Sequence, residues 1–190
     1  GIRRWLTKRP RCDMIVQAGG MSQRTGEREM KIRRALMEEL DEIMEIYDHA
    51  KQVMRASGNK DQWTDGYPPR ELVSGDIADG MEYVLEKDSQ ILAVFFLKQG
   101  EDPTYKKIYE GAWLNDRPYA VMHRVASSGK EKGAAKVCFD WVFEKYGNIR
   151  IDTHDDNHIM QHVLEKNGFS KCGRIYLENG DPRIAYQKSQ

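Results

Sequence analysis

The sequence contains no long apolar run. Its longest, Ile91 to Leu97 (ILAVFFL), falls far short of the roughly 20 residues that cross a bilayer, so it is expected to form a buried strand and no membrane partner is expected. Charge of one sign is not in excess either. Thirty Lys and Arg balance thirty Asp and Glu, which gives no reason to favour nucleic acid or an anionic surface over a small substrate. Cysteine is scarce. Cys12, Cys138 and Cys172 are an odd number without CxxC spacing, so a disulfide framework is not expected and a reducing, cytoplasmic setting is. The opening GIRRWLTKRPRCD has no apolar stretch of the kind a secretory leader carries.

At 190 residues the chain suits one domain with a full core. Residues 1–29 hold seven basic against three acidic residues and show no periodicity. They are expected to lie outside the domain, as a basic arm or as an over-long start with Met30 the alternative first residue.

Periodic segments follow. Lys31 to Leu36 is a short strand candidate. Leu36, Leu40, Ile43, Tyr47, Ala50 and Met54 recur at helical spacing, and Gly58-Asn59 ends that helix. Pro68-Pro69 opens a second helix that stops near Gly80. MEYVLEKD and SQILAVFFLKQG are two strands that turn at Lys87 to Ser89. Lys98 to Pro118, with Tyr105, Tyr109 and Trp113, is expected as a long solvated connection. YAVMHRVAS is a strand, SSGKEKGA a loop into a helix, and NIRID another strand. Asp156 or Asn157 caps the helix HIMQHVLEKNG, and a strand pair with a two-residue turn at Asn179-Gly180 closes the chain. No segment repeats. The order β-α-α-β-β-β-α-β-α-β-β is that of a mixed α/β single domain over 30–190.

Two stretches could carry chemistry. IDTHDDNHIMQH holds three of the five histidines. His158 and His162 have metal-compatible spacing, but Ile159 stands where a His-Glu-x-x-His helix has its Glu, so they are expected on a solvated helix face and no metal site is expected. His154 falls at the end of a central strand, where α/β sites tend to lie. The second stretch, SSGKEKGAAK, joins a strand to an amphipathic helix through small residues. Open N–H groups and the dipole of such a helix start suit a pyrophosphate. It is neither GxGxxG nor a P-loop.

The element order, SSGKEKGAAK and the later EKNGF (Glu165 to Phe169) together resemble the GNAT superfamily of N-acetyltransferases. The resemblance spans Met30 to Lys188. It implies a mixed, mostly antiparallel sheet, splayed between its fourth and fifth strands and flanked by helices. The family's Arg/Gln-x-x-Gly-x-Gly/Ala pattern falls on Lys130 to Ala135. Gly133 and Ala135 match, and Lys130 stands for Arg or Gln. The implied cofactor is acetyl-CoA, held by Val125 and Ser127 of the fourth strand, by Lys130, Glu131, Lys132, Gly133, Ala134 and Ala135, and by Asn157, which matches an Asn often found after the fifth strand. The implied acceptor is the amine of a small molecule, amino acid or peptide, with Trp63 and Tyr67 lining its pocket. Relatives are often homodimers.

Two family features are missing. The Tyr that often protonates the leaving thiolate is replaced by Leu164, and the fourth strand lacks the Glu that often serves as base. A lysine-like amine with a pKa of about 10.4 is neutral in only about one molecule in a thousand at pH 7, so a base matters. His123 is the first candidate and His154 the second, with Tyr176 or water as the acid. The alternative reading is a coenzyme-A-binding sensor or interaction module without turnover.

Overall fold

The structure, a computed structural model, describes residues 29–190. The basic extension, apart from Glu29, lies outside the described residues. Seven strands form one sheet: β1 (Lys31–Arg34), β2 (Glu82–Lys87), β3 (Gln90–Gln99), β4 (Ala120–Ser127), β5 (Asn148–Thr153), β6 (Ser170–Tyr176) and β7 (Pro182–Ser189). Their order is β1-β2-β3-β4-β5-β7-β6. All neighbours are antiparallel except β4 and β5, which are joined by the crossover helix α3 (Ala134–Tyr146).

That parallel contact is brief. It consists of Ala120 opposite Ile149 and Val121 opposite Arg150, after which the strands part. The cause lies on β4. Phe96 of β3 faces His123 and Val94 faces Ala126, so β4 carries one extra residue, and Arg124 takes a φ of 51°. A bulge of this kind bends its strand and sharpens its twist, which turns the second half of β4 out of register with β5.

Alternation along the strands feeds two cores. Val84, Val94 and Ala126 face one side, where α1 (Leu40–Ala56) and α2 (Arg70–Ala78) supply Ile43, Ile46, Tyr47, Val73 and Ile77. Leu85, Phe95, Met122 and Val125 face the other, against Cys138, Phe139 and Val142 of α3 and Leu164 of α4 (His158–Lys166). The expected helices and strands are all present. At the last hairpin, Leu177 N–H donates to Asp181 O at 2.9 Å and Gly180 has a φ of 87°. The turn therefore spans three residues rather than the expected two, with Gly180 supplying the left-handed position.

The connection from β3 to β4 differs most from the sequence reading. Instead of running through solvent it crosses one face of the β5–β7–β6 half of the sheet. Tyr105 is 1% exposed and packs with Val121, Ile175 and Ala185. The Arg150 guanidinium lies 4.2 Å from the Trp113 ring centroid and 4.1 Å from that of Tyr119. Tyr109 and Arg174 then exchange backbone hydrogen bonds at 2.8 Å, and Ala112 N–H donates to Cys172 O at 3.0 Å. The segment thereby covers the β6 edge, which would otherwise present unpaired backbone groups. The partners of these aromatics are 16 to 80 residues away in sequence, so local polarity hid the packing. Among the described residues no helix is long and apolar enough to cross a membrane.

Candidate active site

Where β4 and β5 part, a cleft of about 870 Å³ opens. Its walls come from Trp63 and Tyr67 of the α1–α2 loop, Asp102 and Thr104 of the β3–β4 connection, and His123, Arg124 and Val125 of β4. Ile151, Asp152 and Thr153 of β5 and Asn157 before α4 complete them. The two parallel rungs share an offset of 29 residues, from 120 to 149 and from 121 to 150. Carried forward, that offset sets His123 level with Asp152, and the bulge at Arg124 breaks it beyond that point.

His123 stands between two carboxylates. Its Nε2 is 2.8 Å from Asp102 Oδ2 and its Nδ1 is 3.7 Å from Asp152 Oδ2. A ring nitrogen bonded to a carboxylate carries the proton, so in the neutral ring the lone pair is on Nδ1. Asp152 Oδ2 also accepts from the Tyr105 hydroxyl at 2.6 Å. Burial alone would push the Asp102 carboxyl up. Hydrogen bonds from His123 and Thr104 outweigh it and hold the group at about 2.

Arg124 points to the opposite side of the bulge, into the α1–α2 core. Its guanidinium pairs with Asp76 and lies 3.3 Å from Glu82, while the Tyr67 hydroxyl is 3.5 Å away. Glu82 also accepts a short hydrogen bond from the Tyr47 hydroxyl. Burial pushes the Glu82 carboxyl up to about 7, against the pull of Arg124 and Tyr47. This buried set of charges pins the bulge that opens the cleft.

Beyond the C-terminal end of β4 and outside the cleft lining, Gly133 precedes α3 with a φ of 79°, and Val137 N–H makes the first helical bond back to its carbonyl at 3.2 Å. The amides of Ala134, Ala135 and Lys136 therefore have no helical acceptor. A Cβ on Gly133 would meet nothing within 4 Å, so the approach to these donors is open, as a pyrophosphate requires.

No protein-family model matches the chain, and a search of curated proteins gives no match. Solved structures do match. A GNAT-family acetyltransferase from Streptococcus agalactiae 2603 shares 36% identity, covers 85% of this chain and 95% of its own, and superposes with a TM-score of 0.78. This chain belongs to the GNAT family of acetyltransferases. Two further structures show the same fold at lower identity. A GNAT-family acetyltransferase from Listeria monocytogenes 4b F2365 is 17% identical, covering 85% of this chain and 95% of its own with a TM-score of 0.61. The PaiA N-acetyltransferase from Thermoplasma acidophilum, solved in complex with coenzyme A, is 14% identical, covering 85% and 99% with a TM-score of 0.60. The family chemistry is acyl transfer, and the splayed sheet expected from the resemblance is present.

Of the residues singled out from sequence, His123, Val125, Trp63, Tyr67 and Asn157 line the cleft. Trp63 has two roles, since its ring also meets Tyr47 edge-on at 5.7 Å and so ties the loop to the core. Asn157 uses both ends of its side chain within the protein: Oδ1 accepts from Met160 N–H at 3.0 Å, and Nδ2 donates to Gln62 at 2.9 Å. It caps α4 and fastens the α1–α2 loop to it. Ser127 accepts from Gly129 N–H at 3.2 Å. Lys130 and Lys132 are exposed, and Glu131 pairs with Lys87 at 3.0 Å. Ala134, buried, and Ala135 begin α3. His158 and His162 are exposed on α4.

Two of the expected residues lie elsewhere. His154 is not among the cleft residues. Its Nδ1 accepts from Asp156 N–H at 3.0 Å and closes the turn before α4. Tyr176 also lies outside the cleft, 41% exposed, with its ring against Tyr109 at 5.1 Å. Sequence reasoning missed Asp102, Asp152, Glu82 and Thr153. Only Asp102 left a trace, since Asp-Pro-Thr is a capping sequence and its side chain accepts from Thr104 N–H at 2.9 Å.

Proposed function

We propose that the protein transfers an acetyl group from acetyl-CoA to a positively charged primary amine. The observation that carries this reading is His123 held between Asp102 and Asp152 on the cleft wall where β4 and β5 part. Asp61, Asp65, Asp76, Asp102, Asp152, Glu178 and Asp181 line the cleft against Arg124 and Arg183, a balance that favours a cationic acceptor. An incoming ammonium bridges His123 Nδ1 and Asp152 Oδ2, which lie 3.7 Å apart, from the cleft side and donates to both. Nδ1 takes its proton. Asp102 fixes the ring through Nε2–H and stabilises the imidazolium that results.

The acyl donor enters with its pyrophosphate on the amides of Ala134, Ala135 and Lys136 and its pantetheine arm along the edge of β4 that β5 leaves free after Val121. Backbone N–H groups on that edge face the thioester carbonyl and stabilise the charge it gathers under attack. Trp63 and Tyr67 flank the acceptor. The acceptor is a free small amine, an amino acid or a peptide amine.

The test is thiol release from acetyl-CoA with a panel of diamines, amino acids, lysine-containing peptides and peptide N-termini. Turnover with at least one amine, lowered about 10²–10⁴-fold in His123→Asn, is the expected result. Binding of acetyl-CoA with no thiol release across the panel would instead mark a sensor that kept the fold and lost the reaction.

A further inference from the structure

Thr153 ends β5 and is 1% exposed, and its Oγ1 has no hydrogen-bond partner among the described residues. A buried hydroxyl left unpaired costs about 1–3 kcal/mol, and a valine would fill the same space without that penalty. Ile149 and Ile151, at alternate positions on the same strand, belong to the apolar core under α3 and α4. Thr153 interrupts that apolar column where it meets the cleft. The two other places for an acid are occupied differently. Leu164, in the family's usual tyrosine position, is fully buried, and Tyr176 lies outside the cleft.

We infer that Thr153 donates a hydrogen bond from Oγ1 to the sulfur of the acyl donor as the carbon–sulfur bond breaks. This rests on the acetyl-transfer reading above. The ammonium's first proton leaves by way of His123 Nδ1 to solvent. The neutral nitrogen then bonds to the carbonyl carbon, the carbon–sulfur bond opens with its electron pair passing to sulfur, and the second nitrogen proton, surplus in the amide, passes to the freed Nδ1. Thr153 keeps its own proton, because a hydroxyl is a far weaker acid than a thiol. The imidazolium returns its proton through solvent, and the products are an amide and a thiol. Thr153 offsets the sulfur's negative charge until that proton arrives, so the bond is strongest in the transition state and in the bound thiolate.

Thr153→Val and Thr153→Ser test this against wild type by steady-state kinetics, melting temperature and ultraviolet thiolate absorbance of bound coenzyme A. A hydrogen bond to a charged acceptor corresponds to a loss of about 10- to 100-fold in kcat for Thr153→Val. KM for acetyl-CoA should stay within about twofold, and the melting temperature should not fall, since only an unpaired hydroxyl is removed. Thr153→Ser should keep most of the rate. In wild type the thiol of bound coenzyme A should titrate below that of free coenzyme A in the same buffer, and in Thr153→Val it should move back toward the free value. An unchanged kcat in Thr153→Val, or a raised KM with kcat intact, overturns the inference while leaving the acetyl-transfer reading standing. A wild-type complex whose thiol titrates at or above the free value overturns it without any variant. A wild type that releases no thiol with any amine removes both.

Discussion

Asp102 and His123 meet at 2.8 Å on the wall of the cleft, and this contact joins the β3–β4 connection to β4. His123→Asn is expected to lower kcat/KM by about 10²–10⁴-fold with the fold intact. Asp102→Asn leaves the histidine in place but removes the charge that fixes its tautomer and stabilises its imidazolium, so kcat should fall with a smaller change in KM. Equal activity of both variants and wild type would falsify the histidine role.

The same pair has a signature in stability. The Asp102 carboxyl is held at about 2 against an ordinary 3.8. A depressed carboxyl contributes stability that is fully present above its ordinary pKa and is lost as pH falls through the folded value. The expected contribution is about 2 kcal/mol, disappearing between pH 3.8 and 2. Acid unfolding of Asp102→Asn should accordingly be flatter over that window. Parallel acid-unfolding curves would mean that the pairing in the cleft does not stabilise the fold.

Gly133 has open space around its missing Cβ, so substitution there acts through conformation and charge rather than collision. Its φ of 79° disfavours any other residue, with Asn the best tolerated. Gly133→Asn should keep measurable coenzyme A binding. Gly133→Asp places a negative charge beside the amides of Ala134 and Ala135 and should abolish it in calorimetry. Equal affinities for the two variants would move the pyrophosphate away from this helix start.

Sequence and structure agree where the physics is local. The helical spacing from Leu40 to Met54, the strand at Ile91 to Leu97 and the Gly133 helix start depend on residues close in the chain, and each is where it was expected. The β4–β5 splay was reached only through family resemblance. Nothing in YAVMHRVAS marks Arg124 as a bulge, because the charges that hold it, Asp76 and Glu82, come from other elements. The cleft wall was partly hidden for the same reason. His123 was visible as a titratable residue on a central strand, whereas Asp102 becomes its partner only once the connection from 100 to 119 folds across the sheet. Thr153 could not have been singled out at all, since an unpaired hydroxyl is a property of the packed state.

That connection depends on glycine at one close approach. A Cβ on Gly111 would lie 1.9 Å from Cys172 O, the acceptor of the Ala112 hydrogen bond. Gly111→Ala should therefore lift the segment off the β6 edge, at a cost of about 1–3 kcal/mol in lost backbone pairing. Hydrogen exchange at residues 109–112 should accelerate, and activity should fall because Asp102 and Tyr105 belong to the same connection. Unchanged exchange there would show that the edge contact is not what holds the connection down.

Glu82 provides the last test, since it is a buried acid outside the cleft that controls its shape. Burial raises its carboxyl from 4.5 to about 7. A raised pKa means that the folded state binds the proton more tightly than the unfolded one, so stability is greatest below pH 4.5 for this group and declines as pH rises to 7. That rise corresponds to about 3 kcal/mol. Glu82→Gln keeps a hydrogen-bonding side chain of similar size but cannot ionise. Its melting temperature should vary less than wild type's between pH 4.5 and 7. In the wild type, ionised Glu82 also strengthens the hold on Arg124 and hence on the bulge, so Glu82→Gln should lower kcat more at pH 8 than at pH 6. If the variant follows the wild-type stability curve across that range, Glu82 is not the group that titrates. If the stability curve flattens but kcat keeps the same ratio to wild type at both pH values, the bulge does not depend on the charge of Glu82.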